Sequence, residues 1–74
     1  MSSEGWRMAE EAENTIQLDQ FMKYVGMVGT GGQAKIVIQG GEVRVNGVIE
    51  TRRKKKLRTG DKVTFRGQSQ VVEL

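Results

Sequence analysis

Val43-Arg44-Val45-Asn46-Gly47-Val48-Ile49-Glu50 is the stretch that decides the fold. Val43 and Val45 alternate with Arg44 and Asn46, a period of two that gives a strand one apolar and one polar face. Asn46-Gly47 supplies the two residue types best suited to positive φ in a tight two-residue turn, and Val48-Ile49-Glu50 returns. The reading is an antiparallel hairpin.

Upstream of it the period is helical. Leu18, Phe21, Met22 and Val25 fall at i, i+3, i+4 and i+7, one face of a helix. Asp19 stands in the first turn, where a carboxylate suits the helix dipole, with Lys23 four residues on along the same outer side. Gly26 ends this helix, and Met27 and Val28 pack in the link. Thr30-Gly31-Gly32-Gln33 then has the form of a capping box, in which the Thr30 hydroxyl accepts from the Gln33 backbone N–H and the Gln33 side chain answers at Thr30. Ala34, Val37 and Ile38 form the buried face of this second helix, Lys35 and Gln39 point outward, and Gly40-Gly41 stops it.

Downstream, Gly60-Asp61 makes a turn, Val63 and Phe65 alternate with Lys62, Thr64 and Arg66, Gly67 allows a bend, and Val71-Val72 with Leu74 closes a last strand. The fold class is α+β: two N-terminal helices packed on a small antiparallel sheet, in one domain over residues 15–74. Residues 1–14, with Trp6 and Met8 isolated among Ser, Gly and Glu, read as a flexible acidic tail.

Composition narrows the chemistry. The chain has 74 residues, no cysteine and no histidine. Disulfides, thiolate nucleophiles, zinc clusters and Ser-His-Asp arrangements drop out together. No stretch approaches the ~20 apolar residues of a membrane span, so a cytoplasmic protein is expected. The net charge of +3 conceals an asymmetry. Residues 1–17 set four glutamates against Arg7, whereas residues 18–74 hold eleven Lys or Arg against five acids. The densest part is Arg52-Arg53-Lys54-Lys55-Lys56-Leu57-Arg58, six cations in seven residues. Such a run on a β scaffold suits polyphosphate, because each cation that meets a phosphate releases a condensed counterion. A solvated loop serving only solubility has the same composition. Leu57, which interrupts the run, is expected to pin it to the core.

Four blocks carry a resemblance: Leu18-Asp19-Gln20-Phe21, then Thr30-Gly31-Gly32-Gln33-Ala34-Lys35, then Gly41-Glu42-Val43-Arg44-Val45-Asn46-Gly47, then Leu57 with Gly60-Asp61-Lys62-Val63. In order and spacing the stretch from Gln17 to Val63 resembles the S4-type RNA-binding domain, in the form of the small free-standing S4-like proteins of bacteria. The resemblance implies the αL motif, with RNA held against the two helices and the adjoining loop. It implies structured RNA as partner, ribosomal or transfer RNA, with a ribosomal subunit as a further partner. It implies Thr30, Gly31, Gln33 and Lys35 at a helix start that faces the RNA backbone. A helix N-terminus offers free N–H groups and a positive dipole end to phosphate, and Gly31-Gly32 let a chain approach closely. Many relatives carry Arg before the Leu-Asp pair and after the second cap residue. Here Gln17 and Gly31 stand there, which shifts charge toward residues 52–58.

The expected RNA-binding set is Lys23, Thr30, Gly31, Gln33, Lys35, Arg44, Arg52, Arg53, Lys54, Lys55, Lys56 and Arg58. No catalytic residue, metal or cofactor is expected, and the protein is expected as a monomer. Asp19, Glu42, Glu50 and Asp61 each have a cap, turn or strand role, and no pair is placed for acid–base work. A ubiquitin-like sulfur carrier shares Val-Asn-Gly and Gly-Asp-x-Val, but the chain opens with helices and closes on Val-Val-Glu-Leu rather than Gly-Gly. A ribosome-associated adaptor whose cations meet acidic protein is the alternative, separated from RNA binding by the RNase sensitivity of a pull-down. Tyr24 follows the helix face only in part, so partial packing is expected of it ahead of base stacking. With few aromatics, recognition leans on phosphate, 2′-OH and RNA shape.

Overall fold

The computed structural model describes residues 14–74; the acidic tail expected over residues 1–14 lies, but for Asn14, outside them. The elements in chain order are β1 (Ile16–Gln17), α1 (Leu18–Tyr24), α2 (Gly31–Gln39), β2 (Val43–Val45), β3 (Val48–Ile49), β4 (Lys56–Leu57), β5 (Lys62–Phe65) and β6 (Gln68–Val71). The class is α+β. β3, β2, β5 and β6 make a four-stranded sheet in that order, antiparallel throughout, and β1 pairs antiparallel with β4 in a second, two-stranded sheet.

The hairpin forms where its sequence directs. Asn46 and Gly47 take φ of 54° and 84°, and Val45 faces Val48 across the turn. Asn46 does more than turn the chain. Its Oδ1 accepts from the Lys62 backbone N–H at 3.0 Å, its Nδ2 donates to Asp61 Oδ1 at 3.1 Å, and its own backbone N–H donates to Lys62 O at 2.8 Å. The β2–β3 turn is thereby fastened to the start of β5.

A second tight turn joins β5 to β6. Arg66 sits at φ 50°, a left-handed conformation uncommon outside glycine, next to Gly67 at 80°. Two contacts hold it there: an ion pair from Arg66 Nη2 to Glu42 Oε1 at 3.1 Å, and its guanidinium carbon 4.9 Å from the Phe65 ring centroid.

One core cluster gathers Leu18, Phe21 and Met22 of α1, Ala34, Val37 and Ile38 of α2, Val43, Val45, Val63 and Phe65 of the large sheet, and Leu57 of β4. Val28 and Val72 complete it, with Ile16, Val25 and Met27 half-buried against it. Fully buried Leu57 is the anchor expected of it.

Four sequence expectations are corrected. The basic segment is not loop throughout, because Lys56 and Leu57 are strand, paired with Gln17 and Ile16. Gln33 does not complete a reciprocal capping box with Thr30: its Oε1 accepts from Gly29 N at 2.9 Å, one residue upstream, while its own N–H donates to Thr30 Oγ1 at 3.1 Å as expected. The last strand is Gln68–Val71, exposed along its length, and Val72 enters the core just beyond it. Asp19 is buried rather than outward beside Lys23.

Candidate nucleic-acid interface

Asp19 organises this region. Its Oδ2 accepts from Arg53 Nε at 2.9 Å and its Oδ1 from the Gln20 backbone N–H at 2.8 Å. The backbone runs in parallel with the side chains: Asp19 N donates to Arg53 O at 3.1 Å, and Leu18 N to Lys55 O at 2.8 Å. The first amides of a helix have no partner within it, and here carbonyls of the basic run satisfy two of them. Residues 53–57 are therefore stitched to the start of α1 and to β1 by backbone bonds, with Leu57 buried beneath.

The same arginine reaches α2. A Cβ placed on Gly31, first residue of α2, stands 3.6 Å from Arg53 Nη2. The basic run and the opening turn of the second helix are neighbours in space, although more than twenty residues separate them. Gly29, Thr30 and Gln33 shape that turn through the two hydrogen bonds above. Lys35 follows one turn on, exposed.

Charge along the run is not uniform. Arg52 makes a fork with Glu50, Nε to Oε2 at 2.9 Å and Nη2 to Oε1 at 3.2 Å, while its backbone N–H also donates to Oε2 at 3.0 Å. These bonds to Arg52 hold the Glu50 carboxyl below its ordinary range, and Glu50 in turn pushes the Arg52 guanidinium up. Lys54, Lys55 and Lys56 enter no ion pair among the described residues. The run closes on a turn in which Arg58 N donates to Asp61 Oδ2 at 2.8 Å. That amide first, and the Asn46 side chain second, hold the Asp61 carboxyl below its ordinary value.

Not every expected residue joins this ledge. Arg44 is exposed in the middle of β2, between inward Val43 and Val45, so it stands on the sheet face turned away from the core, paired across strands with Ile49 and Thr64. Lys23 is exposed one turn beyond Asp19 on α1. Among the described residues no group of three His, Cys, Asp or Glu is placed to hold a metal, and no helix is long and apolar enough to cross a membrane. Sequence reasoning missed the Asp19–Arg53 pair and the Asn46–Asp61 link. Both join residues far apart in the chain, and periodicity carries no signal for them.

The sequence profile described as S4 domain matches residues 10–73. The chain belongs to the S4 domain family. Among curated proteins, this S4 domain is 43% identical over 58 residues to "Putative RNA-binding protein YbcJ" of Escherichia coli (strain K12), covering 77% of this chain and 83% of that protein. It is equally similar, over the same shares, to "Uncharacterized protein YbcJ" of Shigella flexneri. No solved structure gives a significant match.

Proposed function

We propose that this S4 domain is a non-enzymatic binder of structured RNA, ribosomal or transfer RNA, acting as a cytoplasmic monomer without a cofactor and in contact with a ribosomal subunit. In the αL arrangement of the family, the two helices lie against the sheet and present their outer side to RNA. The observation that carries the reading is the 3.6 Å approach of Arg53 Nη2 to the Cβ position of Gly31, which makes the lysine–arginine run and the α2 opening turn one surface.

Phosphates would lie along Lys54, Lys55 and Lys56, with Arg52, Arg53 and Arg58 at the margins and the Gly31-Gly32 amides receiving a phosphate at the helix end. Thr30, Gln33 and Lys35 extend this contact, and Lys23 and Arg44 are outlying cations. Name and fold support the same partner: the Escherichia coli relative is named for RNA binding, and backbone bonds at Arg53, Lys55 and Lys56 tether the basic run to α1 and β1. A tethered cluster loses less entropy on binding than a free one.

Binding measured against salt tests the reading. About 4–6 phosphate contacts give a log–log slope near −3 to −5 for a structured RNA. Replacing Lys54, Lys55 and Lys56 together by Ala lowers affinity for all RNA sequences alike and flattens the slope by about 3. An unchanged slope would leave the run as a solubility device.

A further inference from the structure

Tyr24 is the feature that the RNA ledge does not absorb. It is the last residue of α1 and is 83% exposed, contrary to the partial packing expected for it. Beside it opens a cleft of about 310 Å³ lined by Ile16, Phe21, Tyr24, Glu73 and Leu74. That volume lies at the lower end of small-ligand sites, and four of its five walls are apolar or aromatic.

The cleft adjoins the basic run. Ile16 on its wall pairs with Leu57. Leu74 on another wall donates its backbone N–H to Thr59 Oγ1 at 3.0 Å, one residue past Arg58. Leu57 and Thr59, on either side of Arg58, thus tie the end of the basic run to two walls of the cleft. Glu73 at the rim repels phosphate and accepts hydrogen bonds without donating any while ionised. The backbone of a nucleic acid is turned away there, and a base carrying an amino group is welcomed. A second copy of the chain is a poor occupant, since a stable interface needs about 1,000 Å² or more of buried surface and the cleft is a single small concavity.

We propose that this cleft receives one unpaired nucleobase of the bound RNA, stacked on Tyr24, with the Glu73 carboxylate accepting from its exocyclic amino group. The site rests on the RNA-binding reading above and adds to it a local preference for unpaired adenine, cytosine or guanine over uracil. Stacking of this kind is sequence-tolerant, and the carboxylate supplies the discrimination.

The test uses the full chain and hairpin RNAs carrying 2-aminopurine in the loop, beside a fully paired RNA of equal length. Binding quenches the loop fluorophore. Tyr24→Leu removes the quench and weakens hairpin binding about tenfold, with affinity for the paired RNA unchanged. Tyr24→Phe keeps both, and Glu73→Gln narrows the gap between adenine and uracil loops. Because Tyr24 and Glu73 are exposed, these variants keep the fold. If Tyr24→Leu leaves quench and affinity intact while the triple lysine variant still weakens binding, the base site is wrong and the RNA reading stands. If the unmodified protein binds neither RNA at low salt, both are wrong. A blue-shifted emission of Trp6, the one tryptophan, that moves red in free Tyr24→Leu assigns the cleft to the chain's own N-terminal segment and overturns the proposal.

Discussion

Arg53 donates from Nε to Asp19 Oδ2 across 2.9 Å, joining the second residue of α1 to the second residue of the basic run. The Asp19 side chain is 7% exposed and that of Arg53 31%. An arginine read from sequence as one more surface charge is thus also a structural strut, and its far nitrogen, Nη2, faces the start of α2.

Removing the strut costs stability. Arg53→Ala leaves a buried carboxylate short of its charged donor and is expected to destabilise the fold by about 2 kcal/mol, read as a lower urea midpoint. Arg53→Lys recovers only part of this, because a point ammonium does not reproduce the guanidinium fork that reaches both Asp19 and Gly31.

Asp19→Asn separates stability from binding. The Arg53 charge is no longer offset by a neighbouring carboxylate, so RNA affinity at low salt is expected to rise several-fold while the thermal midpoint falls. Fluorescence titration and a melting curve on one sample read both effects. A parallel fall in the two would mean that the pair serves binding only through folding.

Leu57→Ala changes no charge yet is expected to weaken RNA binding. The residue is fully buried, so its truncation destabilises by about 3 kcal/mol and loosens β4, on which Lys54–Arg58 depends for its aim. Lys56→Ala is the control, removing a charge from the same strand with little effect on stability.

Acid sensitivity follows from the two depressed carboxyls. Asp61 and Glu50 titrate in the folded protein below their ordinary values of 3.8 and 4.5. Their contribution to stability is complete above those values and is lost as pH falls through the lower folded ones. Stability measured from neutral pH downward is expected to hold until about pH 5 and then decline. In Asp61→Asn the acid limb is shallower and the plateau lower, since an amide has one acceptor oxygen and cannot accept both the Arg58 and the Asn46 bonds.

Much of this was readable along the chain. The Leu18–Val25 face, the Thr30 cap and the Val43–Ile49 hairpin are local, each decided by residues within one or two turns, and they stand where the pattern put them. The S4 blocks were legible for the same reason. What escaped is non-local or too short to have a period. β1 and β4 are two residues each, so alternation has nothing to act on, and their pairing turned part of an expected loop into strand. Gln33 accepts from the Gly29 amide instead of the Thr30 amide that the capping-box pattern names, one residue further into the loop. Ile36, 71% exposed on α2, shows the limit of apolarity as a guide to burial, because the helix already fills the core with Ala34, Val37 and Ile38.

The most direct measurement is an amide NMR titration of the ¹⁵N-labelled full chain with a hairpin RNA at low ionic strength. The signals of Gly31, Gly32 and Gln33 and those of Arg52–Arg58 are expected to shift together, with one affinity, and to relax back as salt is raised. Shifts confined to one of these two segments, or to neither, would contradict a single ledge built from the α2 opening turn and the basic run.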